Sequence, residues 1–185
     1  MAVGELTAAT ARDPEAHRWW WRLGQAWQWV WAYDGRDSEA WARAEAALRE
    51  AAVLRPRRYA VPVRLRSESF DRVAGEALRS IPEELRELLD NTAIVVRALP
   101  SVDLVRDDGL PPDLLGLWMS SPGGYGGIHT LGDGGLDAIE LYQLNIENVC
   151  GDLRSLHREI RRTVLHEVGH HFGMDEARLR ELGWS

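Results

Sequence analysis

The chain of 185 residues is 45% hydrophobic and 28% charged, with a net charge of −7, the make-up of a globular protein with length for one domain and an added arm. A negative total argues against nucleic acid as a partner, because that role needs a positive footprint, and no run of about 18 apolar residues offers a transmembrane segment. Cys150 is the single cysteine, so no internal disulfide can form; every basic residue is arginine, which excludes Schiff-base lysines, the P-loop lysine and Ser-Lys dyads.

Residues 1–18 carry acidic side chains and no basic start followed by an apolar stretch, so no secretory signal is expected. With the lone cysteine, this makes a cytoplasmic location the expectation. Seven of the nine tryptophans then fall before residue 42. Trp20, Leu23, Trp27, Val30 and Trp31 recur at helical steps, while Trp19, Trp21 and Trp29 lie off that stripe. Asp34-Gly35 reads as a turn, and residues 39–54 as a second helix ending before Pro56, which together make a helical hairpin.

Residues 57–66 alternate around Pro62 and read as a linker or an edge strand. A helix is expected over 70–80 and a helical turn over 82–89, opened by Pro82. The β-branched run at 92–99 is a strand, 114–119 a second and 137–146 a third. Between the last two, residues 120–135 form a Gly-rich loop without the strand–Gly–helix context of a phosphate cradle. A long helix over 153–172 and a short one over 176–182 close the chain. Helix, three strands and helix with long loops describe an α+β domain.

The chemistry lies in His166-Glu167-Val168-Gly169-His170-His171-Phe172-Gly173-Met174-Asp175-Glu176. Histidines four apart stand on one helix face, so His166 and His170 can reach a single Zn²⁺. Glu167, one residue round, flanks the metal and suits a general base for a metal-activated water. Leu153, Leu156, Ile160, Val164 and Val168 form an opposed apolar stripe for packing, and His171, out of phase, reads as a packing histidine. A catalytic zinc takes three protein ligands. Gly173 can end the helix and return the chain toward the metal, which makes Asp175 and Glu176 the candidates for the third. Asp175 has a competing role as the cap of the last helix.

This segment resembles the zincin pattern HExxHxxGxx(H/D). Together with FDRVAGEALRSIPEELRELLDNTAIVV, DLLGLW and AIELYQLNIENVC, it makes residues 64–184 similar to the small bacterial zincin-like metallopeptidases, the mini-zincins. The resemblance implies a minimal zincin domain over 61–185, with a short mixed sheet, a backing helix and the metal-bearing helix. Residues 1–60 lie outside it as a Trp-rich helical extension. It implies Glu176 as third ligand, a glutamate where the family usually carries aspartate, with Asp175 as its rival.

The resulting expectation is a zinc metallopeptidase acting on peptide or protein substrates, with Glu167 as base and His166, His170 and Glu176 as ligands. The strand before the metal helix, 138–146, is the candidate edge for an extended substrate or else the central strand. Tyr142 and His129 are candidates for stabilising an oxyanion, against ordinary packing. Cys150 reads as a small core residue. Residues 19–31 suit a helical cap, a partner or membrane-interface surface, or a pro-segment. The competing reading of the whole chain is a zinc-stabilised binding module that docks through the Trp-rich hairpin, with a hydrolase of non-peptide amides as a third.

Overall fold

The computed structural model describes residues 3–89, 92–120 and 137–184, in two compact units. The first comprises residues 1–63 with 147–152, the second residues 64–146 with 153–185. Residues 121–135 of the Gly-rich loop, with His129, lie outside the described residues.

In the first unit, α1 (Val3–Arg12) leads into the hairpin of α2 (His17–Tyr33) and α3 (Ser38–Leu54). Asp37 starts α3 by accepting hydrogen bonds from the Glu39 and Ala40 amides, the usual work of an aspartate N-cap. A row of small residues, Ala40, Ala44, Ala47, Ala51 and Ala52, is buried along α3. Facing it, Gly24 of α2 leaves no space for a side chain: a Cβ there would lie 2.6 Å from Leu48 Cγ. The tryptophans are half-buried. Trp19, Trp20 and Trp27 pack on Leu6, Leu23 and Ala47, Trp31 meets Trp41 at 4.9 Å, and Trp21 stacks on Tyr59 at 4.6 Å. Gln28, fully buried, exchanges two hydrogen bonds with Asn148, which satisfies both amides. Residues 57–66 form no strand; Pro62 lacks the amide a ladder would need. Cys150 is buried.

The second unit is a layer of helices on a three-stranded sheet. Its elements are α4 (Ser67–Arg79), α5 (Glu83–Arg86) with a 3₁₀ turn to Leu89, β1 (Thr92–Arg97), α6 (Val102–Arg106), β2 (Gly116–Met119) and β3 (Asp137–Tyr142). They are followed by α7 (Gln143–Asn148), which runs into the first unit's segment, then α8 (Leu153–His171) and α9 (Glu176–Leu182). The sheet order is β1-β3-β2, with β1 parallel to β3 and β2 antiparallel to it. Helices α4 and α8 pack on each other and on the sheet, α4 over β1 and α8 over β2 and β3. This is a mixed α/β architecture with a small mixed sheet, as a minimal zincin domain requires.

One expectation about the third strand is corrected, and the choice between an edge and a central strand is decided. The strand ends at Tyr142, and the chain turns helical over Gln143–Asn148. Asn145 there donates to the Pro112 and Leu114 carbonyls and Gln143 to the Leu65 carbonyl, so polar side chains that read as strand positions tie a helical turn to neighbouring loops. Nor is β3 an edge: it is paired on both sides and buried from Ala138 to Tyr142. Among the described residues, the strand that packs on α8 and is paired on one side only is β2. Within the stripe of α8, Leu156, Ile160, Val164 and Val168 are buried, whereas Leu153 at the first turn is 54% exposed.

Candidate metal centre

Burial of Leu156, Ile160, Val164 and Val168 turns the opposite side of α8 outward, and His166 and His170 stand there one turn apart. Their Nε2 atoms approach to 3.0 Å, with the rings edge-on at 89°. After His170, Gly173 adopts φ 72° and the Met174 amide returns to the Gly169 carbonyl at 3.0 Å, a left-handed helix end that reverses the chain. Asp175 then caps α9 by accepting from the Arg178 amide at 2.8 Å. Glu176, the next residue, places Oε1 3.2 Å from His170 Nε2 and 3.6 Å from His166 Nε2.

These donor atoms converge as ligands of one ion do. Donors at about 2.0–2.2 Å from a tetrahedral zinc lie about 3.3–3.5 Å from one another, and the three separations here run from 3.0 to 3.6 Å. The imidazole of His170 is held in the required tautomer. Its Nδ1 lies 3.2 Å from the Met174 carbonyl, which can only accept, so Nδ1 carries the proton and Nε2 presents its lone pair. Main chain at Trp184 hydrogen-bonds His166. Burial, followed by the neighbouring His170, pushes the His166 pKa down and favours the neutral ring that can bind a metal. The residues present fit a zinc ion.

Glu167 points to the other side. Its Oε2 accepts from the Trp118 amide of β2 at 3.0 Å. Burial raises its pKa above the ordinary carboxylate value, with the neighbouring His170 and the Trp118 hydrogen bond pulling the other way. Strand β2 comes this close because Gly116 has no side chain: a Cβ there would lie 2.7 Å from Thr163 Cγ2 and 3.3 Å from Glu167 Cγ. Between them runs a cleft of about 300 Å³, lined by Leu114, Leu115 and Gly116 on one side and by Glu159, Arg162, Thr163, His166, Glu167 and Glu176.

Tyr142, a candidate for the oxyanion, and His171, read as a packing histidine, both lie outside the donor cluster. Tyr142 is fully buried and donates to Glu140 Oε2 at 3.1 Å. Glu140 also accepts from Arg97 Nε at 2.6 Å. Burial first, then Glu140, pushes the Tyr142 pKa far up, so its hydroxyl serves the sheet. His171 stacks on the Trp118 indole at 3.9 Å and 17°. The Trp118 amide carries no side-chain signature and escapes sequence reading. Gly116 did leave a signal: a lone glycine inside a strand marks close backbone approach.

The family model of the zincin-like metallopeptidases matches residues 89–184, more than half of the chain. No curated relative matches. The match runs from the turn before β1 through all three strands and α8 to the end of α9, and so takes in the sheet, the cleft and the three converging donors. The chain belongs to the zincin-like metallopeptidase family, whose members are zinc-dependent peptidases acting on peptides or proteins.

Proposed function

We propose that the chain hydrolyses peptide bonds at a single zinc ion held by His166, His170 and Glu176, with Glu167 as general base. The observation that carries this reading is the convergence of the three donors beside a buried carboxylate. Among the described residues the cluster offers three protein donors, the number a catalytic zinc takes, where a structural zinc takes four. Zinc bound there supplies Lewis acidity, bringing the pKa of water down to about 7 and polarising a carbonyl oxygen.

The chain's own residues do the rest. The Trp118 amide holds Glu167 Oε2 and leaves Oε1 to move protons. Glu167 takes a proton from the attacking water as the C–O bond forms, then delivers it to the amide nitrogen as the C–N bond breaks. The side of β2 that is unpaired among the described residues borders the cleft at Gly116 and suits main-chain pairing with an extended peptide.

Glu167→Gln tests the assignment. The amide oxygen can still accept from Trp118, so one zinc per chain should be retained while peptide turnover falls by about 10²–10⁴. Undiminished turnover would remove Glu167 from the mechanism. Zinc that raises the melting temperature of a chain without peptidase activity would favour the structural role.

A further inference from the structure

We infer that Gly169 and Leu179 form the seat that aims the metal donors: Leu179 of α9 lies in the space Gly169 leaves on α8, and this contact carries Glu176 to His166 and His170. The inference rests on the zinc reading above and extends it from the donors to the residues that position them.

Glycine is among the poorest formers of a helix interior, so a glycine between the two histidines of α8 asks for a packing reason. A Cβ at Gly169 would lie 2.1 Å from Leu179 Cδ2, and 3.5 Å from both Leu179 Cγ and Trp184 Cε3. The first distance leaves no room for a methyl group. Leu179 is fully buried, and every other residue of α9 is exposed. Seven residues make too short a helix to hold its place unaided, and Leu179 is the buried side chain that anchors α9.

Glu176 stands three residues before Leu179, on the neighbouring part of the same helix face. Its own side chain is 60% exposed, so burial does not direct it. Its aim follows from the seat. Both ends of α9 are tied to the same purpose. Before it, Met174 donates its amide to Gly169 and faces His170 Nδ1 with its carbonyl. After it, Gly183 takes φ 71° and the Trp184 amide returns to the Leu179 carbonyl at 2.8 Å, which brings the Trp184 main chain to His166. All three donors are thereby oriented through one short element. Gly169 and Leu179 are positioning residues, since neither reaches the donor cluster itself.

The test is metal affinity and coordination in the full chain. Zinc binding is measured by competition with a chromophoric chelator, and the visible absorption of the cobalt(II)-loaded protein reports ligand geometry. Gly169→Ala should weaken zinc binding by about tenfold or more, the usual scale for groups that orient ligands, and should shift the cobalt bands. Leu179→Val removes the clashing Cδ2, so the double variant Gly169→Ala/Leu179→Val should recover affinity to within about threefold. Should Gly169→Ala fail to fold, Leu179→Ala, which only removes atoms, carries the test with the same expected loss.

Wild-type affinity and an unchanged cobalt spectrum in the single variants would overturn the inference, as would a folded double variant that recovers nothing. His166→Ala separates this from failure of the underlying reading. A wild-type chain that takes up no zinc, or a His166→Ala chain that binds it as tightly, defeats the zinc site itself. Loss in His166→Ala alone defeats only the seat.

Discussion

The Trp118 amide and the Glu167 carboxylate meet at 3.0 Å, joining β2 to α8 at the residue proposed as base. The hydrogen bond offsets part of the cost of burying that carboxylate. It also ties the position of the base to β2, the strand proposed to pair with substrate. Anything that separates β2 from α8 should disturb both together.

Gly116→Val is the direct way to separate them. Its added methyl groups would enter the space of Thr163 Cγ2 and Glu167 Cγ. Overpacking of this kind costs about 1–3 kcal/mol of stability, and a base displaced by an ångström costs on the order of a hundredfold in turnover. Steady-state peptide hydrolysis and thermal unfolding measure the two. Gly116→Ala/Thr163→Ser, with the obstructing methyl removed, should regain most of both.

Asp175 and Glu176 should respond oppositely. Glu176→Ala removes a converging oxygen and should weaken zinc binding strongly with little change in metal-free stability. Asp175→Ala removes the cap on the Arg178 amide and should cost about 0.5–2 kcal/mol of stability, with a smaller effect on zinc. Chelator competition and denaturant unfolding on both variants decide the assignment, and the reverse pattern would make Asp175 the ligand.

The metal-free protein should lose stability on acidification. Burial lowers the pKa of His166 and of His171 below 6.5, so the unfolded chain takes up protons first as pH falls below that value. Stability is full above pH 6.5 and declines as pH falls through the lowered folded values. Glu167 acts in the other sense. Its folded pKa is raised above 4.5, so stability grows as pH falls from the raised value toward 4.5. Melting temperatures between pH 7.5 and 5.5 should therefore drop, less steeply in His171→Phe, which keeps a ring on Trp118. A flat profile would contradict the burial of these groups.

Tyr142→Phe should leave hydrolysis within about twofold of wild type, because its hydroxyl is engaged with Glu140. Removing that hydrogen bond from a buried carboxylate should cost about 1–3 kcal/mol, read from chemical denaturation. A large fall in turnover at unchanged stability would return Tyr142 to the site.

What the sequence determined by itself was local and periodic. The four-residue spacing of His166 and His170 places two imidazoles on one helix face in any fold that keeps the helix. The apolar steps from Leu156 to Val168 say which face turns inward, and the capping chemistry of Asp175 competes visibly with ligation. The hairpin of α2 and α3 was legible for the same reason. Non-local pairing was not. Alternation in β3 reads the same for an edge or a central strand, and only the positions of β1 and β2 on either side of it decide. Its helical continuation rests on Asn145 and Gln143 reaching carbonyls more than thirty residues away. The hydrogen bond from Trp118 to Glu167 uses a main-chain amide, a group every non-proline residue has, and so leaves no mark in the sequence. The seat of Leu179 over Gly169 depends on two helices meeting, and tertiary packing alone decided where Glu176 would point.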